Sequence, residues 1–330
     1  MTTRASGIGS WPGTDVREAI ITVRDLLVDG DRLGLPYLPE TPARGPGADV
    51  IGRSAGLLLD LAVDLQPAGW RFVDRPGRDA QRTAAFHRQD LDELAEAYDG
   101  YAGPLKIQAA GPWTLAASIE LNRGERSVAD PGAARDIAAS LTEGIIRYAA
   151  DVRRLVPGAE VVVQIDEPSL PAVLGGRLPT ASGYGRLRAV DPQVASAALR
   201  SVIIGVGVPV VLHCCDAGAP IPLLRASGAA ALALDLTDAT PARWESVAAT
   251  LESGTELYAG CLPSTGDARP ERGRRLILDA VDRLGLGADT LGQVTVTPAC
   301  GLAGTSVAGA RHTQRACVDL AREVTEAVAG

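Results

Sequence analysis

The sequence lacks the features of a membrane or secreted protein. No segment approaches the roughly 20 uninterrupted apolar residues of a membrane-spanning helix, and the N-terminal sequence MTTRASGIGSWPG contains no apolar signal region. We therefore expect a cytoplasmic protein with no membrane partner. In that reducing compartment, its five cysteines are expected to be metal ligands, nucleophiles or core residues rather than disulfide partners.

The sequence also lacks a basic stripe and a nucleotide-binding glycine motif. Its net charge is −8, with acidic and basic residues interleaved along the chain, so we expect no nucleic-acid partner. The first candidate strand leads into GIGSWPG, which has neither GxGxxG spacing nor the downstream acidic residue of a dinucleotide site. A Rossmann domain is therefore the weaker alternative for the fold.

Short apolar runs rich in Val, Ile and Leu alternate with longer amphipathic stretches of helical period. In a chain of 330 residues with 46% hydrophobic residues, this alternation predicts a single α/β domain over residues 1–330, a (β/α)8 TIM barrel. The candidate strands are Ser6–Ser10, a stretch within Leu61–Phe72, Leu105–Ala110, Glu160–Asp166, Val208–Cys214, Ala230–Leu236, Glu256–Cys261 and Gln293–Pro298. We expect the Pro- and Gly-rich Leu33–Gly47 to be a loop folded over the barrel mouth.

Polar residues follow the candidate strands at the end where barrel enzymes carry their active sites. His213 and Cys215 lie at the end of VPVVLHCC, and Cys300 closes VTVTPAC. Residues two apart on a strand point to the same side, so His213 and Cys215 can reach one ion. Zinc favours imidazole and thiolate, and three ligands with an open fourth position are typical of a catalytic site. The sequence therefore predicts a zinc site with Cys300 as the third ligand.

The alternative is that these are small core cysteines and a hydrogen-bonded core histidine. That interpretation suits Cys214 and Cys317, which we expect in the core. It does not explain why His213, Cys215 and Cys300 all stand at strand ends. His87 precedes a polar helical run and is expected at the surface.

Several motifs together resemble a known family. HCC with a downstream TPACGL, together with QIDEPSL, IGSWPGT and AGPWTLA, resembles the catalytic C-terminal half of cobalamin-independent methionine synthase. Members of that family are zinc-dependent barrel enzymes, and they belong to the same superfamily as uroporphyrinogen decarboxylase. The resemblance covers nearly the whole chain and implies an S-methyltransferase that forms methionine from homocysteine. Coordination to zinc would convert the substrate thiol into a reactive thiolate.

The resemblance also implies roles for individual residues. It assigns zinc to His213, Cys215 and Cys300, with Asp235 as an acidic fourth ligand. It assigns the substrate ammonium to Asp166, also the predicted catalytic residue, and to Glu40; it assigns the substrate carboxylate to Ile8 and Ser10. Glu40 lies on a Pro-rich stretch and has the alternative of an ordinary surface glutamate. Asp166 ends a buried strand, where a carboxylate needs partners.

The sequence departs from the family pattern at four points, of which the last three bear on the methyl donor. Asp235 stands where the family usually has a glutamate, and the N-terminal half of the larger members is absent. Ser118 stands near the position of the tryptophan that stacks on folate, and a histidine expected around GCLPSTG is missing. The donor is methyltetrahydrofolate or a methylcorrinoid, free or delivered by a partner protein, and we expect the folate to be used poorly.

Other functions remain open from the sequence. A zinc methyltransferase of another small thiol would keep the zinc residues but not Asp166 and Glu40 as ammonium ligands. A metal-free decarboxylase of the uroporphyrinogen type would leave the placement of His213, Cys215 and Cys300 unexplained. A non-enzymatic zinc-binding protein would bind metal without responding to substrate.

Overall fold

A computed structural model describes residues 2–28 and 34–329. Within these residues the strands are β1 (Arg4–Ala5), β2 (Ala62–Gln66), β3 (Gly69–Val73), β4 (Ala102–Ala110), β5 (Gly158–Asp166), β6 (Val210–Cys214), β7 (Ala231–Asp235), β8 (Glu256–Leu262) and β9 (Val294–Pro298). The α-helices are α1 (Val16–Leu27), α2 (Val50–Ala55), α3 (Arg78–Ala97), α4 (Pro112–Ser118), α5 (Pro131–Leu155), α6 (Leu170–Leu174), α7 (Pro192–Val206), α8 (Ile221–Ala226), α9 (Pro241–Glu252), α10 (Pro270–Leu284) and α11 (Val307–Ala329). Short 3-10 turns lie at Pro42–Arg44, Ser127–Ala129 and Ala288–Gln293.

Seven strands of the described chain form one curled parallel sheet in the order β1-β9-β8-β7-β6-β5-β4. Its strands are apolar because helices cover the sheet on one face and side chains fill the other. All five residues of β6, for example, are buried. Because the strands are parallel, their carboxyl ends lie at one rim, which is where the sequence placed the reactive side chains.

The gap between the edge strands β1 and β4 is spanned by the irregular segment 34–40. Leu35 N–H donates to the Ala5 carbonyl (2.7 Å), and Lys106 N–H in β4 donates to the Pro36 carbonyl (2.9 Å). Further along, Glu40 N–H donates to the Gly9 carbonyl (3.1 Å). Proline has no N–H for a ladder, so the segment makes isolated bridges rather than a regular strand.

Two expectations about the barrel are therefore corrected. Residues 34–40 lie against the edges of the sheet and not in a loop over its mouth; Leu33 falls outside the described residues. The stretch within Leu61–Phe72 does not join the sheet, because β2 and β3 pair with each other as an antiparallel hairpin. The structure thus has seven parallel barrel-type strands, and the predicted closed eight-stranded barrel is found in part.

The first strand is also shorter than expected. Only Arg4–Ala5 pairs regularly, with β9, although the Ser6 N–H still donates to the Val296 carbonyl (2.9 Å). Gly9 then takes a φ of 155°, a conformation that side chains rarely adopt. The chain bends here towards the rim. Among the described helices, none is long and apolar enough to cross a membrane.

Candidate metal centre and active site

The three residues predicted to bind zinc lie together at the rim of the sheet. His213 belongs to β6, Cys215 follows that strand, and Cys300 lies just beyond β9. Strands β8 and β7 separate β6 from β9 in the sheet, so its curvature brings the two ends together. One ligand atom from each residue lies within 4.8 Å of the others. Cys214 points the other way and is completely buried in the core, as expected.

His213 presents one ring nitrogen to this cluster. The side chain is buried, and Nδ1 lies 2.8 Å from Asp166 Oδ1. An ionised carboxylate only accepts hydrogen bonds, so in the neutral imidazole Nδ1 carries the proton and Nε2 keeps a lone pair. Nε2 is buried without a hydrogen-bond partner. A buried imidazole whose second nitrogen is held by a carboxylate is the usual arrangement of a metal-ligating histidine.

The two sulfur atoms lie within hydrogen-bonding distance. Sγ of Cys215 and Sγ of Cys300 lie 3.3 Å apart. Hydrogen bonding to Cys215 lowers the pKa of Cys300 to about 6, although burial opposes the change, and the same contact raises the pKa of Cys215. One nitrogen and two sulfurs, one of them readily ionised, form a donor set that fits zinc.

Asp235 lies near this cluster but does not join it. It ends β7 and lines, with Cys215, a cavity of about 360 Å³. Its Oδ1 accepts hydrogen bonds from Thr237 N–H (2.9 Å) and Thr237 Oγ1 (2.6 Å). The ligand atoms that converge are those of His213, Cys215 and Cys300.

Asp166 is held by residues that the sequence analysis missed. Its Oδ1 also accepts from Gln164 Nε2 (2.7 Å), and the same nitrogen donates to the Ile8 carbonyl (2.7 Å). The buried Lys106 donates to Gln164 Oε1 (2.6 Å) and to the Ile8 carbonyl (3.0 Å). The signal for Gln164 was present, because Gln164 and Asp166 are two apart on one strand and share a face.

Glu40 is buried and not at the surface. The bridge between residues 40 and 10 brings it beside Ser10, and its Oε1 lies 3.3 Å from Arg53 Nε. Burial raises the pKa of Glu40 to about 7; the charge of Asp166 adds to the increase, and Arg53 opposes it. Two carboxylates thus face the same region, a suitable arrangement for an ammonium group.

Arg53 anchors a buried charge cluster that sequence reasoning did not find. It pairs with Asp90, which also binds Arg44 (2.7 Å). His87, expected at the surface, is half-buried: its Nε2 lies 2.9 Å from the Arg53 carbonyl and its ring packs edge-on against Tyr148. Burial lowers the pKa of His87 to about 4. This face of α3 packs towards α2, a contact that a polar local sequence does not reveal.

Ser10 and the segment after Cys300 fit closely together. Leu302 N–H donates to the Ser10 carbonyl (2.8 Å), and Ala303 N–H donates to Ser10 Oγ (3.4 Å). A Cβ at Gly301 would lie only 2.1 Å from Ser10 Oγ. The glycine after Cys300 therefore allows the N-terminal segment to approach the loop that carries Cys300.

The neighbouring acid, Glu167, has a separate role. It is buried and accepts hydrogen bonds from Trp113 N–H (3.0 Å) and from Thr114 N–H and Oγ1 (2.8 Å each) at the start of α4. The two backbone N–H donors are unpaired groups of a helix N-terminus. Trp113 itself is buried and donates its indole N–H to the Ala195 carbonyl (3.1 Å).

Comparison with known proteins decides the family. Residues 1–323 match the family model described as the catalytic domain of cobalamin-independent synthase. The chain belongs to this family. The resemblance found in the sequence is thereby confirmed, and the motifs that carried it are those that build the rim of the sheet.

A solved structure of similar fold is consistent with this family assignment. A B12-independent methionine synthase from Shewanella sp. W3-18-1, solved in complex with selenomethionine, is similar with a TM-score of 0.59. The comparison covers 100% of this chain and 99% of that chain, at 13% sequence identity. No curated protein sequence gives a significant match. The cobalamin-independent synthase family thus provides the context for the site.

Proposed function

We propose that this protein is a zinc-dependent S-methyltransferase that forms methionine from homocysteine. The observation that carries the proposal is the convergence of His213, Cys215 and Cys300 within 4.8 Å at the rim of the sheet. Membership of the cobalamin-independent synthase family supports the reaction class. A metal-free decarboxylase has no use for this cluster.

His213, Cys215 and Cys300 would hold the metal. Asp166 keeps the proton of His213 on Nδ1, which leaves Nε2 for coordination. Bound zinc supplies Lewis acidity that keeps a substrate thiol ionised at neutral pH. We propose Asp235 as the fourth ligand in the absence of substrate; this role requires its carboxylate to turn from Thr237.

The carboxylates of Asp166 and Glu40 would bind the substrate ammonium. The segment Ile8–Ser10 would receive the substrate carboxylate, through the Ser10 hydroxyl and backbone N–H groups. The Ile8 carbonyl already accepts hydrogen bonds from Lys106 and Gln164, and these contacts hold the segment in place. The overall reaction transfers a methyl group to sulfur and releases the thiol proton.

We also infer that the sheet works as a closed barrel of the (β/α)8 type. The backbone hydrogen bonds of residues 34–40 to both edge strands support this inference. Closure matters because the segment brings Glu40 beside Ser10. The proposed localisation is the cytoplasm, where the two thiols stay reduced.

The proposal is tested by metal analysis and a methionine-forming assay on the purified chain. We expect about one zinc per chain and methyl transfer to homocysteine. Asp166→Asn keeps an acceptor for His213 but removes the charge for the ammonium. It should retain zinc and weaken homocysteine binding about ten- to a hundredfold.

Two results would contradict these assignments. Unchanged homocysteine kinetics in Asp166→Asn would exclude the ammonium role. Efficient methylation of a thiol without an amino group, at the expense of homocysteine, would favour the alternative of another small thiol.

A further inference from the structure

Lys106 is the only lysine of the chain; the other 31 of its 32 lysine and arginine residues are arginines. It lies in β4 with no exposed surface. Its ammonium donates to Gln164 Oε1 and to the Ile8 carbonyl and lies 5.1 Å from the centre of the Tyr37 ring. Neither hydrogen-bond acceptor is a carboxylate. Burying a cation without a direct counter-ion is costly, so the position calls for an explanation.

Lys106 determines how the Gln164 amide is oriented. The ammonium only donates, so it requires the Oε1 end of the amide. The Nε2 end then faces two acceptors, Asp166 Oδ1 and the Ile8 carbonyl, each at 2.7 Å. A reversed amide would direct an N–H₂ group at the ammonium and an oxygen at the carboxylate. With Lys106 in place, only one orientation is satisfied.

Gln164 in turn determines the position of Asp166. The same Oδ1 that accepts from Gln164 accepts from His213 Nδ1. The three hydrogen bonds from Lys106 to His213 are 2.6, 2.7 and 2.8 Å long. These direct hydrogen bonds connect the centre of the sheet to the cluster of His213, Cys215 and Cys300.

We propose that Lys106 is a positioning residue that, through Gln164 and Asp166, holds His213 with its proton on Nδ1 and the lone pair of Nε2 directed at the two cysteines. The inference rests on the proposed function only in taking Nε2 as a metal ligand. Burial lowers the pKa of Lys106 to about 7, while the charges of Asp166 and Glu40 oppose the change. The two carboxylates and the ammonium thus form one buried charge system.

The direct test is the tautomer of His213 in the metal-free protein. The chain has three histidines, so ¹⁵N-histidine labelling gives few signals, and His213→Asn assigns the relevant one. Near or below pH 7, where Lys106 keeps its charge, we expect the neutral imidazole of His213 in the wild type to carry its proton on Nδ1. Lys106→Met, of similar length but without charge, should give a mixture of both tautomers. Its zinc affinity should fall about tenfold or more.

Two further variants separate positioning from general stability. Gln164→Glu can still accept from Lys106 but cannot donate to Asp166, so it should disturb the tautomer even if Lys106→Met does not fold. Thr250→Val removes a buried hydroxyl hydrogen bond in α9 and should leave both tautomer and zinc affinity unchanged. A folded Lys106→Met or Gln164→Glu with the wild-type tautomer and zinc affinity would overturn the proposal. Absence of zinc binding or methyl transfer in the wild type would instead count against the proposed function.

Discussion

At the scale of single residues, burial separates side chains that look alike in the sequence. Cys214 and Cys215 are neighbours, yet one is buried in the core and the other lies within hydrogen-bonding distance of Cys300. Asp166 and Glu167 are neighbours as well, and one holds His213 while the other closes a helix N-terminus. Alternation along a strand produces both differences.

Removing one sulfur should remove the metal and leave the fold intact. Cys300 lies beyond β9 at the rim and contributes little to the core, so Cys300→Ser should lose zinc with a small change in unfolding free energy. Cys317→Ala is the matched control, because Cys317 is completely buried in α11. It should cost about 1 kcal/mol and retain zinc. Metal analysis and denaturation of both variants decide the point; loss of folding in Cys300→Ser would indicate a structural metal.

Glu40 should make ligand binding depend on pH. Its pKa is raised by burial to about 7, and an ammonium ligand requires the ionised form. Binding of norleucine, which has the ammonium but no thiol, should strengthen as pH rises through about 7. In Glu40→Gln the dependence should be lost, along with affinity above that pH. Calorimetric titration from pH 6 to pH 8 measures the effect; equal pH dependence in both proteins would refute it.

The same group affects stability with the opposite sign. The folded-state pKa of Glu40 lies above its ordinary value of 4.5, so the folded chain binds more protons than the unfolded chain between these values. The contribution of Glu40 to stability is therefore present below about pH 4.5 and is lost as pH rises to about 7. Glu40→Gln should flatten this part of the stability profile in chemical denaturation.

At the scale of elements, the ends of strands and helices decide where polar groups can go. Strand β5 ends in Asp166 with its carboxylate at the rim, and helix α4 begins with N–H groups directed at Glu167. The irregular segment 34–40 is a third such element, since its prolines prevent a regular ladder while its carbonyls and N–H groups still reach both edge strands. These three elements thus position one carboxylate each: β5 positions Asp166, the start of α4 binds Glu167, and the segment 34–40 carries Glu40.

The start of α4 should depend on the charge of Glu167. All three of its partners are donors, so Glu167→Gln replaces one acceptor oxygen with an N–H₂ group that faces N–H groups. We expect a loss of about 2 kcal/mol in unfolding free energy with zinc content unchanged. Urea denaturation and metal analysis test this. Loss of zinc with full stability would place Glu167, and not Asp166, in contact with the site.

At the scale of the whole molecule, the rim collects side chains from strands that are distant in the sequence. His213 and Cys300 are 87 positions apart, and Glu40 comes from the N-terminal part of the chain. Their convergence depends on the curvature of the sheet and on the segment that spans β1 and β4. In the proposed reaction, the methyl donor would have to approach this rim from outside.

We expect the chain to use methyltetrahydrofolate poorly and a methylcorrinoid or a partner-delivered methyl group better. Trp113 is buried and its indole N–H is engaged by Ala195, so it does not supply the platform that Ser118 lacks. Loss of such a stacking contact removes about 1 kcal/mol beyond area burial. Methionine formation is compared with methyltetrahydrofolate, its polyglutamate form and methylcobalamin at equal concentration. Efficient turnover with a folate alone would refute the donor prediction and leave the metal site untouched.

The sequence alone determined the parallel α/β architecture, the family and the three metal-ligating candidates, because these depend on local alternation and on motifs read in order. His213 and Cys215 share a face by strand period, and Cys300 stands at a strand end. Only the tertiary structure decided that residues 34–40 take the place of a strand and that Glu40 is buried. It also revealed the contacts of Lys106. These features depend on which side chains, distant in the sequence, pack together and shield polar groups from water. No local sequence pattern specifies that packing.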